Sequence, residues 1–250
     1  MPIIFFISGL IIGSFLNAAI YRLWTGQGIV YERSICPHCK HVLSAWDLVP
    51  VFSYLFLGGR CRYCRKRISW QYPLIELVTA TCFVLLAQNF QFSISNIQFW
   101  FQLVFICFFI VIAVFDLKHY LILDKILLPG SVLALIYAIY THHLPQGLVG
   151  ILIISGFFAL QYFISKGRWI GFGDVKLGIF LGLIFGIGQG IILLFLSYLV
   201  GALVGVALIA ADQKEMGSKL PFGTFLTFCG IIMLLYGKEI LSFYLQLIGF

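Results

Sequence analysis

From Val175 to Ala211 the chain reads VKLGIFLGLIFGIGQGIILLFLSYLVGALVGVALIAA, apolar throughout apart from Lys176, Gln189, Ser197 and the hydroxyl of Tyr198. A membrane span needs about 20 residues, with about 17–25 the usual range. This run is too long for one span, and it carries a break at Gly186-Ile187-Gly188-Gln189-Gly190. It therefore predicts two successive membrane segments, 177–187 and 189–211. The first is short, so a re-entrant segment stands beside a full crossing.

Further apolar runs occupy 2–21, 73–92, 99–115, 126–140, 147–165 and 221–236. The composition agrees, because 62% of the 250 residues are hydrophobic, 10% are charged and mean hydropathy is +1.06. A soluble domain carries about 25% charged residues, so a water-exposed globule is excluded, as are disordered and collagen-like chains. Residues 2–21 lack a basic stretch ahead of them, and Tyr21-Arg22-Leu23 follows instead of a small-residue cleavage site. They read as a retained span rather than a signal peptide.

The fold expected is all-α and polytopic, with about eight transmembrane helices. A small cytoplasmic loop domain stands between helices 1 and 2. The division expected is 1–23 as first helix, 24–72 as loop and 73–250 as a seven-helix membrane domain.

Charge sets the orientation. Cations are retained in cytoplasmic loops, and with eight spans every Lys and Arg except Lys238 falls on the side of the 24–72 loop. Without a crossing at 177–187, Lys214 and Lys219 would move outside. Eight spans put both termini outside. The net charge of +7 is dispersed in short gaps and not gathered on one face, so nucleic acid is not an expected partner. The lipid bilayer is. Gly178, Gly182, Gly186 and Gly190, with Gly201 and Gly205, form small-xxx-small rows that let helices approach closely.

Cysteine usage splits in two. Cys82, Cys107 and Cys229 lie in apolar runs, while Cys36, Cys39, Cys61 and Cys64 form two CxxC pairs in the polar loop. Two such turns can close a tetrahedral Zn²⁺ site. With four protein ligands the metal would be structural. The redox alternative expects a single CxxC in a βαβ setting, which is absent.

Acidic residues are few. Asp116 ends the 99–115 run, Asp124 begins the 126–140 run, and Asp174 closes Gly171-Phe172-Gly173-Asp174. Asp116 and Asp174 fall at the same cytoplasmic depth, where an ionisable group is costly and a functional reason is the default. Two adjoining carboxylates share a proton, so one can activate water while the other hydrogen-bonds a carbonyl. The plainer reading makes each a helix cap or the partner of Lys118 or Lys176.

Together these residues carry a resemblance. The chain resembles the type IV prepilin peptidases through Gly13-Ser14-Phe15-Leu16-Asn17, Cys36-Pro37-x-Cys39, Gly59-Arg60-Cys61-Arg62-x-Cys64, Tyr72-Pro73-Leu74-Ile75-Glu76-Leu77, Asp116 eight residues before Asp124, the GxGD-x-K-L motif at 171–177 and Pro221-Phe222-Gly223. The resemblance implies an aspartic membrane endopeptidase with Asp116 and Asp174 as its catalytic pair. Gly171, Gly173, Lys176 and Asp124 would support the active-site loop. The substrate implied is a prepilin or pseudopilin with a short basic leader ahead of an apolar helix, cut at the cytoplasmic membrane edge.

Relatives with the cysteine loop also methylate the freed N-terminus from S-adenosylmethionine. Asn17, Arg22 and Glu76 are the candidates for that site, each with an alternative as a structural hydrogen bond or orientation charge. Two departures flank Asp116: Leu123 stands where the family has Pro, and Lys118 where a second acid is common. The competing function, a polytopic transporter with a cytoplasmic zinc loop, expects acids near the midplane and repeated halves. Neither is visible.

Overall fold

The structure, a computed structural model, describes residues 2–29, 31–89, 96–213, 215 and 219–247. Its helices are α1 (Pro2–Thr25), α2 (Phe52–Phe56), α3 (Gln71–Asn89), α4 (Ile97–His119), α5 (Asp124–Tyr140), α6 (Leu144–Ser165), α7 (Phe172–Ala210) and α8 (Phe222–Leu247). A short 3-10 turn covers Ala45–Leu48. Among the described residues the only β pairings are two isolated bridges, Ile35 with Val42 and Arg60 with Arg67. The chain is an all-α membrane protein.

Six of these helices are long and apolar enough to cross a membrane: α1, α3, α4, α6, α7 and α8. The expected eight is reached only by adding α5, which has 17 residues, and by dividing α7, which has 39. The expected end of the second apolar run at 90–92, and Lys214, lie outside the described residues.

The chain forms two compact units, residues 1–99 and 100–250. In the first, α1 packs on α3 through Gly9 and Gly13. A Cβ at Gly9 would lie 2.5 Å from Cα of Ala80, and one at Gly13 would lie 2.7 Å from Cα of Glu76. Close backbone approach of this kind holds helices together in lipid, where hydrophobicity gives no net attraction between them. The polar loop and α2 belong to the same unit.

In the second unit α7 is not one rod. Gly186 adopts φ 62°, ψ −151°, outside the helical region, and contacts on either side of it run in opposite directions. Before the break, Gly178 lies against Ser155 and Gly147 against Leu183, antiparallel to α6. After it, Gly190 lies against Ile154 and Tyr198 hydrogen-bonds Gln161, parallel to α6. Gln189 reaches Gly237 while Gly201 reaches Phe225, so this half is antiparallel to α8. The chain reverses at Gly186 and makes a helical hairpin, 172–185 and 187–210. This reversal brings the start of α7 back beside its own second half.

The glycine row works as its spacing suggests. A Cβ at Gly182 would lie 2.5 Å from the backbone nitrogen of Ile151, and one at Gly150 would lie 2.6 Å from the carbonyl of Gly182. No side chain fits at that crossing. Phe105, Phe109, Phe158, Phe180, Leu177 and Leu181 fill the core around it, each almost wholly buried.

Candidate active site and metal centre

Asp116 lies in the last turn of α4 and Asp174 in the first turn of α7. Both helices run past the apolar stretches that announced them, because a buried polar side chain with partners does not stop a helix. Asp116 is 5% exposed and Asp174 is 8% exposed. Their carboxylates lie within electrostatic range of one another.

Oδ2 of Asp116 accepts the backbone N–H of Thr224 at 2.8 Å and its hydroxyl at 3.2 Å. That hydroxyl also reaches the carbonyl of Ala113 at 3.1 Å. Thr224 sits in the first turn of α8, where backbone N–H groups have no helical partner. The helix end thus presents donors to a carboxylate. A Cβ on Gly223 would lie 3.1 Å from Oδ2 of Asp116, so any larger residue there would crowd the carboxylate.

Oδ2 of Asp174 accepts the N–H of Gly171 at 3.2 Å, closing the turn that starts α7. Ile122 joins the two halves of the site, since a Cβ on Gly173 would touch its Cβ at 3.1 Å and one on Gly223 its Cδ1 at 3.0 Å. Tyr198, in the returning half of α7, lies within electrostatic range of Asp174. Lys176 forms an exposed ion pair with both oxygens of Asp124 at 2.8 Å. Its ammonium also stands 5.4 Å from the centre of the Phe172 ring. These two residues therefore join the starts of α5 and α7.

The four loop cysteines converge, with ligand atoms all within 4.8 Å of one another. Both CxxC turns have the same build. The N–H of Lys40 reaches the carbonyl of Cys36 at 2.9 Å and that of Arg65 reaches Cys61 at 3.0 Å. Lys40 and Arg65 each take φ 59°. The ring of His41 from one turn packs against that of Tyr63 from the other, with centroids 3.7 Å apart and the planes tilted by 36°.

Sγ of Cys36 and Sγ of Cys64 are 3.9 Å apart, too far for a disulfide. The spacing suits two ligands of a tetrahedral ion with Zn–S bonds of about 2.3 Å. Four thiols so close cannot all ionise unaided. Burial opposes the Cys36 thiolate, but the N–H groups of Cys39 and His38 and the neighbouring thiols outweigh it, bringing its pKa to about 7. At Cys64 the N–H of Lys66 favours the thiolate. Burial and the thiols of Cys61, Cys39 and Cys36 override it, up to about 11. A divalent cation would take the place of those protons.

Asp47, to which sequence reasoning assigned no role, is the staple of this loop. Its carboxylate accepts the Ser44 hydroxyl at 2.8 Å and the Tyr63 hydroxyl at 3.1 Å, and pairs with Nε of Arg62 at 2.7 Å.

Asn17, Arg22 and Glu76 are all buried in the first unit and all have partners. Asn17 donates to the carbonyl of Tyr72 at 3.0 Å and accepts from Gln71 at 3.3 Å. Arg22 binds the carbonyls of Ile29 and Glu32. Glu76 accepts the N–H of Val51 at 2.7 Å. They hold α1, the loop and α3 together, and each is separately fixed. Sequence reasoning did not single out Thr224 or Ile122, and it met Val51 only within the stretch Pro50-Val51-x-Ser53-Tyr54-Leu55. The Pro221-Phe222-Gly223 signal pointed one residue short of Thr224.

Two family models match the chain: Bacterial Peptidase A24 N-terminal domain over residues 7–90 and Type IV leader peptidase family over residues 103–206. The prepilin leader peptidase/N-methyltransferase of Bacillus subtilis (strain 168) is 36% identical over 248 residues, covering 98% of each chain. Proteins of the same description from Pseudomonas aeruginosa and Pseudomonas putida are 32% and 33% identical, covering 97% of this chain and 92% and 93% of theirs. No solved structure matches. Both halves match in order and the relatives align nearly end to end, so the chain belongs to the prepilin leader peptidase/N-methyltransferase family.

Proposed function

We propose that this protein is an aspartic membrane endopeptidase that removes the leader peptide of prepilin-like proteins, with Asp116 and Asp174 as its catalytic pair. The observation that carries the reading is the meeting of two nearly buried carboxylates at one end of the second unit, each held by backbone donors. In the reaction, one carboxylate takes a proton from water, which adds to the scissile carbonyl. The other hydrogen-bonds the carbonyl oxygen, and a proton then passes to the departing amine. A coupled pair titrates as a unit, so these roles belong to the dyad. Gly171 and Gly173 leave space beside it, and Lys176 with Asp124 braces the turn.

The short first half of α7 counts as a crossing in this reading, giving eight segments with both termini outside. The dyad and the cysteine loop then face the cytoplasm, where a basic leader would lie. Cys36, Cys39, Cys61 and Cys64 hold a structural Zn²⁺. The freed N-terminus is then methylated from S-adenosylmethionine, with Asn17, Arg22 and Glu76 shaping the first unit for that step. The transporter reading has no support in acids lining a path at mid-depth.

Co-expression with a prepilin-like substrate, read by intact mass, tests the peptidase. Wild type should remove the leader, and Asp116→Asn and Asp174→Asn should each remove activity while remaining in the membrane. Cleavage that survives both substitutions would overturn the dyad. A further gain of one methyl group reports the second activity.

A further inference from the structure

The polar loop carries an apolar surface that the peptidase reading does not use. Phe56 is 87% exposed, Trp46 77% and Trp70 75%, with Phe52 and Leu55 also well exposed. Trp46, Phe52 and Phe56 line one groove together with Arg62. In a water-exposed loop such a surface would be a liability. Its depth gives it a different meaning.

The depth follows from α2 and its anchor. Val51, immediately ahead of α2, gives its N–H to Oε2 of Glu76 at 2.7 Å. Glu76 is the sixth residue of α3, hence about 7 Å along the helix from its start. The 19 residues of α3 extend about 28 Å, close to the ~30 Å of a hydrocarbon core. Those described residues alone nearly match that thickness, so the first turn of α3 stands near the boundary of the lipid. Glu76 therefore draws α2 down to the headgroup level or below it. The rings of Tyr54, in α2, and Trp70, at the mouth of α3, lie 5.3 Å apart, which fixes α2 against the same edge. Val51 takes φ 61° to make this turn, an uncommon conformation for a β-branched residue, so the position is imposed by its partners.

Charge names the partner. Arg60, Arg62, Arg65, Lys66 and Arg67 follow α2 closely, all exposed, whereas the loop's only acids are Glu32 and Asp47. Asp47 is paired with Arg62. Aromatic and aliphatic side chains bordered by cations are the composition of interfacial segments that lie in anionic membrane surfaces.

We infer that α2 and the flanking Trp46 and Trp70 are embedded in the headgroup layer of an anionic bilayer leaflet. The loop is then held flat on the membrane by its own side chains as well as by the helices at its ends.

The full-length protein with p-benzoylphenylalanine at position 56, in nanodiscs of phosphatidylglycerol or of phosphatidylcholine alone, tests this. Irradiation should give adducts of lipid mass, several-fold more abundant with phosphatidylglycerol. Equal yields in the two lipids would overturn the anionic preference. The absence of lipid adducts, or their replacement by adducts to an added peptide with a basic leader and apolar helix, would overturn the inference and give the surface to a peptide. A second readout leaves position 56 untouched. Tryptophan fluorescence is quenched with lipids brominated near the headgroup end of the chain or near the chain terminus, and wild type is compared with Trp46→Phe. Trp46 should contribute quenching by the shallow bromines, and no quenching of Trp46 by either set would overturn the embedding. Both readouts are independent of cleavage.

Discussion

Thr224 donates both its N–H and its hydroxyl to one oxygen of Asp116, so its two groups can be separated by substitution. Thr224→Val keeps the N–H and the shape but removes the hydroxyl. A hydrogen bond to a charged group contributes about 1.5–3 kcal/mol, which corresponds to a loss of roughly tenfold or more in turnover. Initial rates of leader removal should show that loss, with Thr224→Ser restoring most of it. Asp47 offers a second case, this one pH-dependent. Burial works against its charge, yet the Ser44 hydroxyl and N–H, the Tyr63 hydroxyl and Arg62 outweigh it and hold the carboxyl below the usual range. A carboxyl with a depressed folded-state pKa adds stability above its unfolded value, near 3.9, and the addition fades as pH falls through the folded value. Asp47→Asn should make the loop easier to cleave by limited proteolysis at neutral pH, and the gap from wild type should close below about pH 4. Asp116, Asp174 and the four cysteines were visible as candidates in the sequence because their residue types are rare in apolar runs or recur at ligand spacing. Thr224 and Asp47 were not, because their importance lies in partners far along the chain.

At the scale of the element, the hairpin in α7 rests on one residue. Gly186 needs positive φ, and a Cβ there would also lie 2.6 Å from Nε2 of His143. Gly186→Ala combines the cost of a positive-φ extended conformation essentially reserved for glycine, about 1–3 kcal/mol, with that collision. The melting temperature of the purified protein should fall, and the dyad should lose activity with it, because the reversal returns Tyr198 to Asp174. The break was readable from the sequence, since no regular apolar span needs three glycines in five residues. The helix ends were less so: Asp116 was placed at the end of an apolar run, yet α4 carries on to His119, whereas Asp124, read as beginning the next run, is indeed the first residue of α5. Hydropathy marks where lipid contact ends, and a helix continues for as long as its backbone and side chains find partners. By the same reasoning Lys176 and Asp124, paired but exposed, should matter little to stability. An exposed ion pair contributes about 0.2–1 kcal/mol, so Asp124→Asn should leave the melting temperature nearly unchanged. A large fall in cleavage by that variant would then assign the pair to the active-site turn and not to folding.

Over the whole molecule, the cysteine cluster belongs to the first compact unit and the aspartate pair to the second, and this division predicts how metal removal acts. A four-thiolate ion has no open position for water or substrate, and it stabilises the loop because the ligands must otherwise hold protons in a crowded cluster. The loop contributes few buried side chains beyond Cys36 and Cys61, so little else compensates for the ion. Stripping the metal from purified protein, or replacing Cys36 or Cys64 with serine, should make residues 24–72 readily cleaved by added protease. Methylation should fall steeply. Leader cleavage should fall much less, since among the described residues the groups that hydrogen-bond Asp116 and Asp174, Thr224 and Gly171, lie in the second unit. The comparison is made on one sample by intact mass, which separates uncleaved, cleaved and methylated substrate. Metal-free protein that cleaves without methylating would assign the ion to the second activity alone. Equal loss of both activities would mean that the loop serves the dyad as well, and protein purified with no metal at all would remove the structural ion from the account.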